Sequence, residues 1–174
     1  MVRNGKPYPP ASVEELEVLP GVAEALFRLR AAHYDLVVVT NQPDIARGTT
    51  TAEAVEAIHT RLRTLLAVDE IRVCPHDDAD GCDCRKPKPG LLLRTPLYDM
   101  GSSVMIGDRW RDIEAGRAAG VGVTILVEYG YDEEIVHEPT VRVGSLAEAT
   151  DWLLSSGRAG ESTTARTSRE TDTR

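Results

Sequence analysis

Every cysteine in the chain falls inside one short string, Cys74-Pro-His-Asp-Asp-Ala-Asp-Gly-Cys-Asp-Cys84, together with His76, one of four histidines. The four side chains form two chelating pairs, Cys74-x-His76 and Cys82-x-Cys84, joined by an Asp/Gly-rich turn. That donor set suits a tetrahedral Cys₃His zinc site with no position left for water or substrate, so the metal is structural. A disulfide between Cys82 and Cys84 would close a strained ring, and an acidic chain with no apparent export signal is kept reduced. The stretch Asp77-Asp-Ala-Asp-Gly81 resembles the start of a calcium loop. It lacks the bidentate Glu and overlaps the zinc ligands, so a solvated turn is the better reading. Arg85 and Lys86 follow the last ligand directly, and a closed zinc loop would hold both cations in place beside an anion.

The remaining sequence bounds the fold. A chain of 174 residues, 41% hydrophobic, suffices for one compact α/β domain with a real core. The formal charge of −8 opposes nucleic acid as a partner, because the phosphate backbone would be repelled. Small anions respond to the local field of a pocket instead. The apolar runs are too short for a membrane helix, and residues 1–10 do not form a signal peptide. A cytoplasmic monomer without membrane or nucleic-acid partners is expected.

Along the chain, residues 1–10 read as extended loop. Leu19-Pro20-Gly21 leads into a helix whose Val22, Ala25, Leu26 and Leu29 share one face. The β-branched run Asp35-Leu-Val-Val-Val-Thr40 marks a strand buried on both faces of a parallel sheet. Thr50-Thr-Ala-Glu53 reads as a capping box before a helix carrying Val55, Ile58, Leu62, Leu65 and Leu66. Ile71 to Cys74 is a short strand delivering the first zinc ligand. Pro89-Gly-Leu-Leu-Leu93 opens a helix that Pro96 cuts short. Ser103-Val-Met-Ile-Gly107 is another buried strand, then come a helix from Trp110 to Ala119 closed by Gly120, and a strand over 121–127. A small strand at 141–143 and a capped helix to about Ser155 complete a domain over 1–155. Residues 156–174, rich in Ser, Thr, Arg and Glu, are expected to be disordered. Alternating strands and helices predict a doubly wound, Rossmann-like parallel sheet with ligands outside the carboxyl ends of the strands.

Three polar clusters fall at such ends. Thr40-Asn41-Gln42 offers a hydroxyl and backbone N–H groups to phosphoryl oxygens. Lys86 supplies a point charge and Arg85 a planar fork that matches phosphate. Asp108, with Asp112 one helical turn on, offers hard oxygen for Mg²⁺. Singly, each is matched by an ordinary turn or N-cap. Together they make a phosphate-and-magnesium site.

Val38-Val-Thr-Asn-Gln-x-x-Ile-Ala-Arg-Gly48, Cys-Pro-His…Cys-Asp-Cys-Arg-Lys-Pro-Lys-Pro-Gly90 and Met105-Ile-Gly-Asp-Arg-Trp-Arg-Asp112 resemble the haloacid dehalogenase (HAD) superfamily. Within it the chain resembles the zinc-containing small phosphatases of subfamily IIIA. These are the D-glycero-D-manno-heptose 1,7-bisphosphate 7-phosphatases and the histidinol-phosphate phosphatases. The resemblance runs from about Pro7 to Leu154. It implies that Thr40 binds the transferring phosphoryl group with Asn41 and Gln42 beside it, and that Lys86 neutralises its charge. Arg85 would recognise the rest of the substrate, Asp108 would hold Mg²⁺, and Arg109 occupies the place of a further basic residue. Arg47 and Lys6 are weaker candidates for substrate contact.

The resemblance also implies an Asp-x-Asp-Gly at the end of a first, central strand. One Asp attacks phosphorus to form an aspartyl-phosphate and the other acts as acid and base. No such motif occurs at a strand end here; Asp78-Ala-Asp-Gly81 lies inside the zinc loop. The expectation is therefore a HAD-like sheet whose first central strand is absent, lost to a start codon read too far downstream or to truncation. Such a chain should be inactive until that segment is restored. The expected substrate is a small phosphorylated sugar, with zinc and magnesium as cofactors. Histidinol phosphate is the alternative substrate, and a non-catalytic zinc-stabilised module that binds phosphorylated ligands is the rival from another class.

Overall fold

The computed structural model describes residues 9–94 and 97–157, and the backbone alone at 2–3 and 6–7. Pro96, the side chain of Lys6 and the tail beyond Gly157 lie outside the described residues. The elements in chain order are β1 (Val2–Arg3), β2 (Lys6–Pro7), α1 (Val22–Ala31), β3 (Val37–Asn41), α2 (Pro43–Ala46), α3 (Ala52–Leu65) and β4 (Glu70–Cys74). After a 3₁₀ turn at Asp78–Asp80 come α4 (Gly90–Leu93), β5 (Val104–Gly107), α5 (Trp110–Ala119), β6 (Val123–Val127), β7 (Val141–Val143) and α6 (Leu146–Ser155).

Residues 2–3 and 6–7 are strand rather than the expected loop. They pair antiparallel, Val2 opposite Pro7 and Arg3 opposite Lys6. The reading of α3 shifts by one residue: Thr51, not Thr50, is the N-cap, and its hydroxyl accepts from the Ala54 N–H. Glu53 therefore misses the position needed for a reciprocal bond. The expected ends of α5 and α6 hold, whereas the strands move by one or two residues: β3 spans Val37–Asn41 rather than 35–40, and β6 starts at Val123 rather than Val121. Gly120 ends α5 at a positive φ of 79° that a side chain would strain, and Ser145 caps α6 by accepting from the Glu148 N–H.

The other five strands form two parallel groups. β3 pairs with β4, from Val37 opposite Glu70 to Asn41 opposite Cys74. β5, β6 and β7 form the other, in that order. Apolar clusters lie on both faces. Leu29 of α1 and Ala149 and Leu153 of α6 meet Val123 and Ile125, with Val104 and Ile106 against them. Leu91 and Leu92 of α4 and Ala115 of α5 meet Met105 and Cys74. Val104 and Ile106 face one way and Met105 the other, the period of two that a sheet covered on both sides requires.

Burial separates the strands in a way their composition does not. All five residues of β6 are buried, because β5 and β7 flank it. All five of β3 are only half-buried, and so are Val104, Ile106 and Gly107 of β5. Both had been expected to be fully buried. The reason is a cavity of about 1150 Å³ that takes its walls from residues 37–40 of β3 and all four residues of β5. β3 and β5 are thus the free edges of the two groups, facing one slot.

Candidate active site

The zinc loop starts where β4 ends. The Cys74, Cys82 and Cys84 sulfurs and a His76 ring nitrogen lie within 4.8 Å of one another. Individual separations run from 3.2 Å for Cys84–Cys74 to 3.7 Å for Cys74–Cys82, with His76 Nδ1 3.3 Å from Cys84 Sγ and 3.7 Å from Cys74 Sγ. A tetrahedron with Zn–S near 2.3 Å has edges of about 3.8 Å, so a small inward or outward adjustment fits zinc at the centre. Burial and the adjoining Cys84 push the Cys74 thiol up to about 12. That is an unfavourable thiolate unless a cation sits beside it. Gly90 is needed here, since a Cβ on it would overlap the Asp83 carbonyl.

The loop is fastened to the sheet by a side chain whose role the sequence did not reveal. Asn41 Nδ2 donates to the Lys86 carbonyl at 3.0 Å, and Asn41 Oδ1 accepts from the Lys86 N–H at 3.1 Å. A primary amide matches a peptide group edge to edge, so Asn41 fixes where Lys86 starts. The Lys86 ammonium, 12% exposed, then donates to Asp112 Oδ1 at 2.5 Å and to the Val39 carbonyl at 2.8 Å. An ammonium has three donors, and the third is left for the space at the strand ends.

Asp112 is 5% exposed. Its Oδ1 takes Lys86 and its Oδ2 takes the Arg109 N–H at 3.2 Å. Asp112, expected beside Asp108 as an oxygen donor to Mg²⁺, has one bond on each oxygen, which hold the lysine and the start of α5. Gly107 makes this possible, because a Cβ there would collide with the Asp112 side chain. Asp108 is released from structural duty by the same arrangement. The N-cap of α5 is Arg109, so the Asp108 carboxylate is not consumed as a cap. Burial and the Asp112 charge raise its pKa, while Tyr131 bonds to it. A divalent cation would relieve both effects, and a hard carboxylate is a fitting donor for Mg²⁺.

Thr40 stands at the end of β3, its hydroxyl accepting from Gln42 Nε2 at 3.1 Å. With that lone pair occupied, the hydroxyl hydrogen is free to donate. Thr40, Lys86, Asp108 and Asp112 all line the same end of the slot.

Arg85 and Arg109, both expected to contact substrate, are each paired within the protein. Arg85 is 8% exposed and its fork is taken by Asp78, at 2.7 and 3.2 Å, and by the His76 carbonyl at 3.3 Å. It braces the zinc loop with three of its five N–H donors. Arg47, the weaker candidate, is paired with Asp77 at 2.7 and 2.8 Å. Arg109 lies 4.1 Å from the Tyr131 ring centroid and forms a two-pronged pair with Glu133. This strap runs over Asp108 from the loop after β6. Neither Tyr131 nor Glu133 stood out in the sequence, since nothing in their spacing ties them to Asp108.

A parallel sheet covered on both faces, with threonine, lysine and aspartate gathered at its strand ends, is an α/β architecture suited to holding a phosphate. Residues 9–120 match the haloacid dehalogenase-like hydrolase family, and the chain belongs to it. Curated relatives narrow the likeness. The D-glycero-beta-D-manno-heptose-1,7-bisphosphate 7-phosphatase of Pseudomonas aeruginosa is 42% identical over 155 residues, 82% of this chain and 86% of that protein. The enzyme of the same name from Escherichia coli K12 is 36% identical over 159 residues, 83% of this chain and 78% of that protein. Among solved structures, D,D-heptose 1,7-bisphosphate phosphatase from B. bronchiseptica, complexed with magnesium and phosphate, matches with a TM-score of 0.76 at 34% identity. That match covers 84% of this chain and 88% of the other. Among the described residues no helix is long and apolar enough to cross a membrane.

Proposed function

We propose that this protein is a Mg²⁺-dependent phosphomonoesterase that removes the 7-phosphate of a D-glycero-D-manno-heptose 1,7-bisphosphate, with zinc in a structural role. The observation that carries this is Lys86. It is aimed by Asn41 and Asp112 into the strand-end space that Thr40 and Asp108 also line. The named activity of the relatives, at identities of 36% and 42%, supports the substrate class.

In this reading the Thr40 hydroxyl and the third Lys86 donor bind the phosphoryl oxygens, and Lys86 offsets the charge that builds up there. Asp112 holds the lysine in place. Asp108 would hold Mg²⁺, which when bound supplies Lewis-acid stabilisation of phosphoryl oxygen. Tyr131 orients the Asp108 carboxylate, and Arg109 with Glu133 keeps Tyr131 over it. Arg85 acts on substrate only through the zinc loop that it braces.

The two carboxylates at the strand ends are both engaged, Asp112 by Lys86 and Asp108 by Tyr131. The reading therefore names no attacking carboxylate among the described residues. Extended at the amino end by a strand that closes in Asp-x-Asp-Gly, the protein should release phosphate from the heptose bisphosphate faster than from histidinol phosphate. Faster release from histidinol phosphate would reassign the substrate, and ligand binding without release from either would leave a binding module.

A further inference from the structure

We propose that α1 carries a self-docking face, and that two copies of this chain associate through it as an antiparallel helix pair centred on Phe27. This dimer does not depend on the phosphatase reading, and it replaces the monomer expected from the sequence.

The two sides of α1 differ sharply. Ala25 and Leu29 are buried, Leu29 against β6 and α6, and Arg28 ties the helix to Asp151 of α6. The opposite side is built around Phe27. At 3.6 residues per turn, Ala23 and Ala31 lie about 40° to either side of it, and Glu24 and Arg30 about 60°. All five are exposed. Phe27, the only phenylalanine in the chain, is 68% exposed, more than any other large apolar side chain among the described residues. One exposed apolar side chain is ordinary by itself. Phe27 differs because its nearest neighbours on the helix surface are methyl groups, which let a second helix approach to about 8–10 Å between axes.

Charge selects the occupant. Glu24 has no ion pair among the described residues. Arg30 gives Nη1 to Asp69, and the rest of its guanidinium keeps its donors. In an antiparallel pair about a two-fold axis at Phe27, positions equally far before and after Phe27 face each other. Glu24 then faces the partner's Arg30, and Arg30 the partner's Glu24. Ala23 faces the partner's Ala31, and the two phenylalanine rings meet offset-stacked between these methyl groups. A parallel pair would set Glu24 against Glu24 and Arg30 against Arg30. The string Ala23-Glu-x-x-Phe-x-x-Arg-Ala31 is thus complementary to its own reverse in both shape and charge, which fits a second copy of this chain. Residues 158–174 contain no Val, Leu, Ile, Met or aromatic side chain, so they offer nothing to cover Phe27.

The contact is small. One ten-residue helix from each copy buries less than the roughly 1,200 Å² of stable complexes, so the dimer is weak, half-formed on the order of 100 µM.

The test is sedimentation equilibrium of the zinc-loaded 174-residue protein from about 5 to 500 µM. The mass should rise toward twice the monomer value. Phe27→Ser should remove that rise while the Tm and circular dichroism stay unchanged, because Phe27 lies outside the core. Glu24→Arg and Arg30→Glu should each weaken association about tenfold, since like charges then meet twice. The contact of Arg30 with Asp69 is exposed, so losing it leaves the fold intact. Mixing those two variants should restore association as a heterodimer, because opposite charges then face each other only between unlike chains. A chain that stays monomeric at about 500 µM overturns the proposal. So does a doubling of mass that survives Phe27→Ser, which places the contact elsewhere. A mixture that associates no better than its two components overturns the antiparallel register, and the proposal with it.

Discussion

Lys86 Nζ lies 2.5 Å from Asp112 Oδ1, joining the residue that follows the zinc loop to the first turn of α5 across the sheet end. Their side chains are 12% and 7% exposed. A pair this sheltered stabilises little by itself, but removing one partner strands a charge.

Replacing Asp112 with Ala should therefore destabilise the protein by about 3–5 kcal/mol. The Asp112→Ala, Lys86→Met double variant should cost less than the two single changes added together. Urea denaturation of the four proteins measures the coupling. Additive effects would mean that the contact carries no energy.

Asn41→Ala removes both bonds that fasten the Lys86 peptide to β3, leaving a half-buried N–H and C=O without their partner. A loss of about 1–3 kcal/mol is expected, together with faster amide exchange over residues 82–88. Asn41→Asp should restore the bond from the Lys86 N–H but not the bond to its carbonyl. Exchange at the Lys86 amide reports which bond has returned.

Glu133 gives the strap an acid dependence. Its hydrogen bonds from Arg109 hold its carboxyl below the ordinary value of 4.5. A depressed pKa means that the stabilisation is complete above 4.5 and is lost as the pH falls through the lowered value. Glu133→Gln should flatten that part of the stability profile while changing neutral-pH stability by less than ~1 kcal/mol, since Arg109 is exposed. Thermal denaturation between about pH 2 and 6 separates the two proteins. An unchanged acid limb would show that the pair is not formed.

Zinc removal should unfasten the whole site, because Lys86 and Arg85 hang from the loop that the metal closes. Chelation is expected to lower the Tm sharply and abolish phosphate binding at Lys86, with one zinc per chain recovered by metal analysis. Cys82→Ser should reproduce the effect in weaker form. Full phosphate affinity in the zinc-free protein would detach the metal from the site.

The Cys/His cluster was legible because chelation demands donors close in sequence, and the placement of Thr40 and Asp108 because an apolar run followed by a polar residue marks a strand end. Their partners were not legible. Asn41 reads as an ordinary turn residue until Lys86 is placed opposite it, and Asp112 reads as a metal donor until its two oxygens are found engaged. Arg85 looked like a free phosphate fork because its neighbour in sequence is a lysine, yet Asp78 lies close enough in the folded loop to take it. The burial of β3 and β5 was overestimated for a related reason. β-branched composition reports what a strand is built to meet on both sides, whereas exposure depends on the edge that faces it. The slot is where those two differ, and the valines of β3 are suited to a neighbour that the described chain does not supply.

The central claim is that phosphate is bound and released at the end of that slot. The direct measurement is phosphate release from D-glycero-D-manno-heptose 1,7-bisphosphate, with Mg²⁺, by the strand-extended protein and its Lys86→Ala variant. The account predicts Mg²⁺-dependent turnover that falls by about 10²–10³-fold in the variant, with its fold checked by circular dichroism. No turnover by the strand-extended protein, or equal turnover by a folded Lys86→Ala variant, would contradict it.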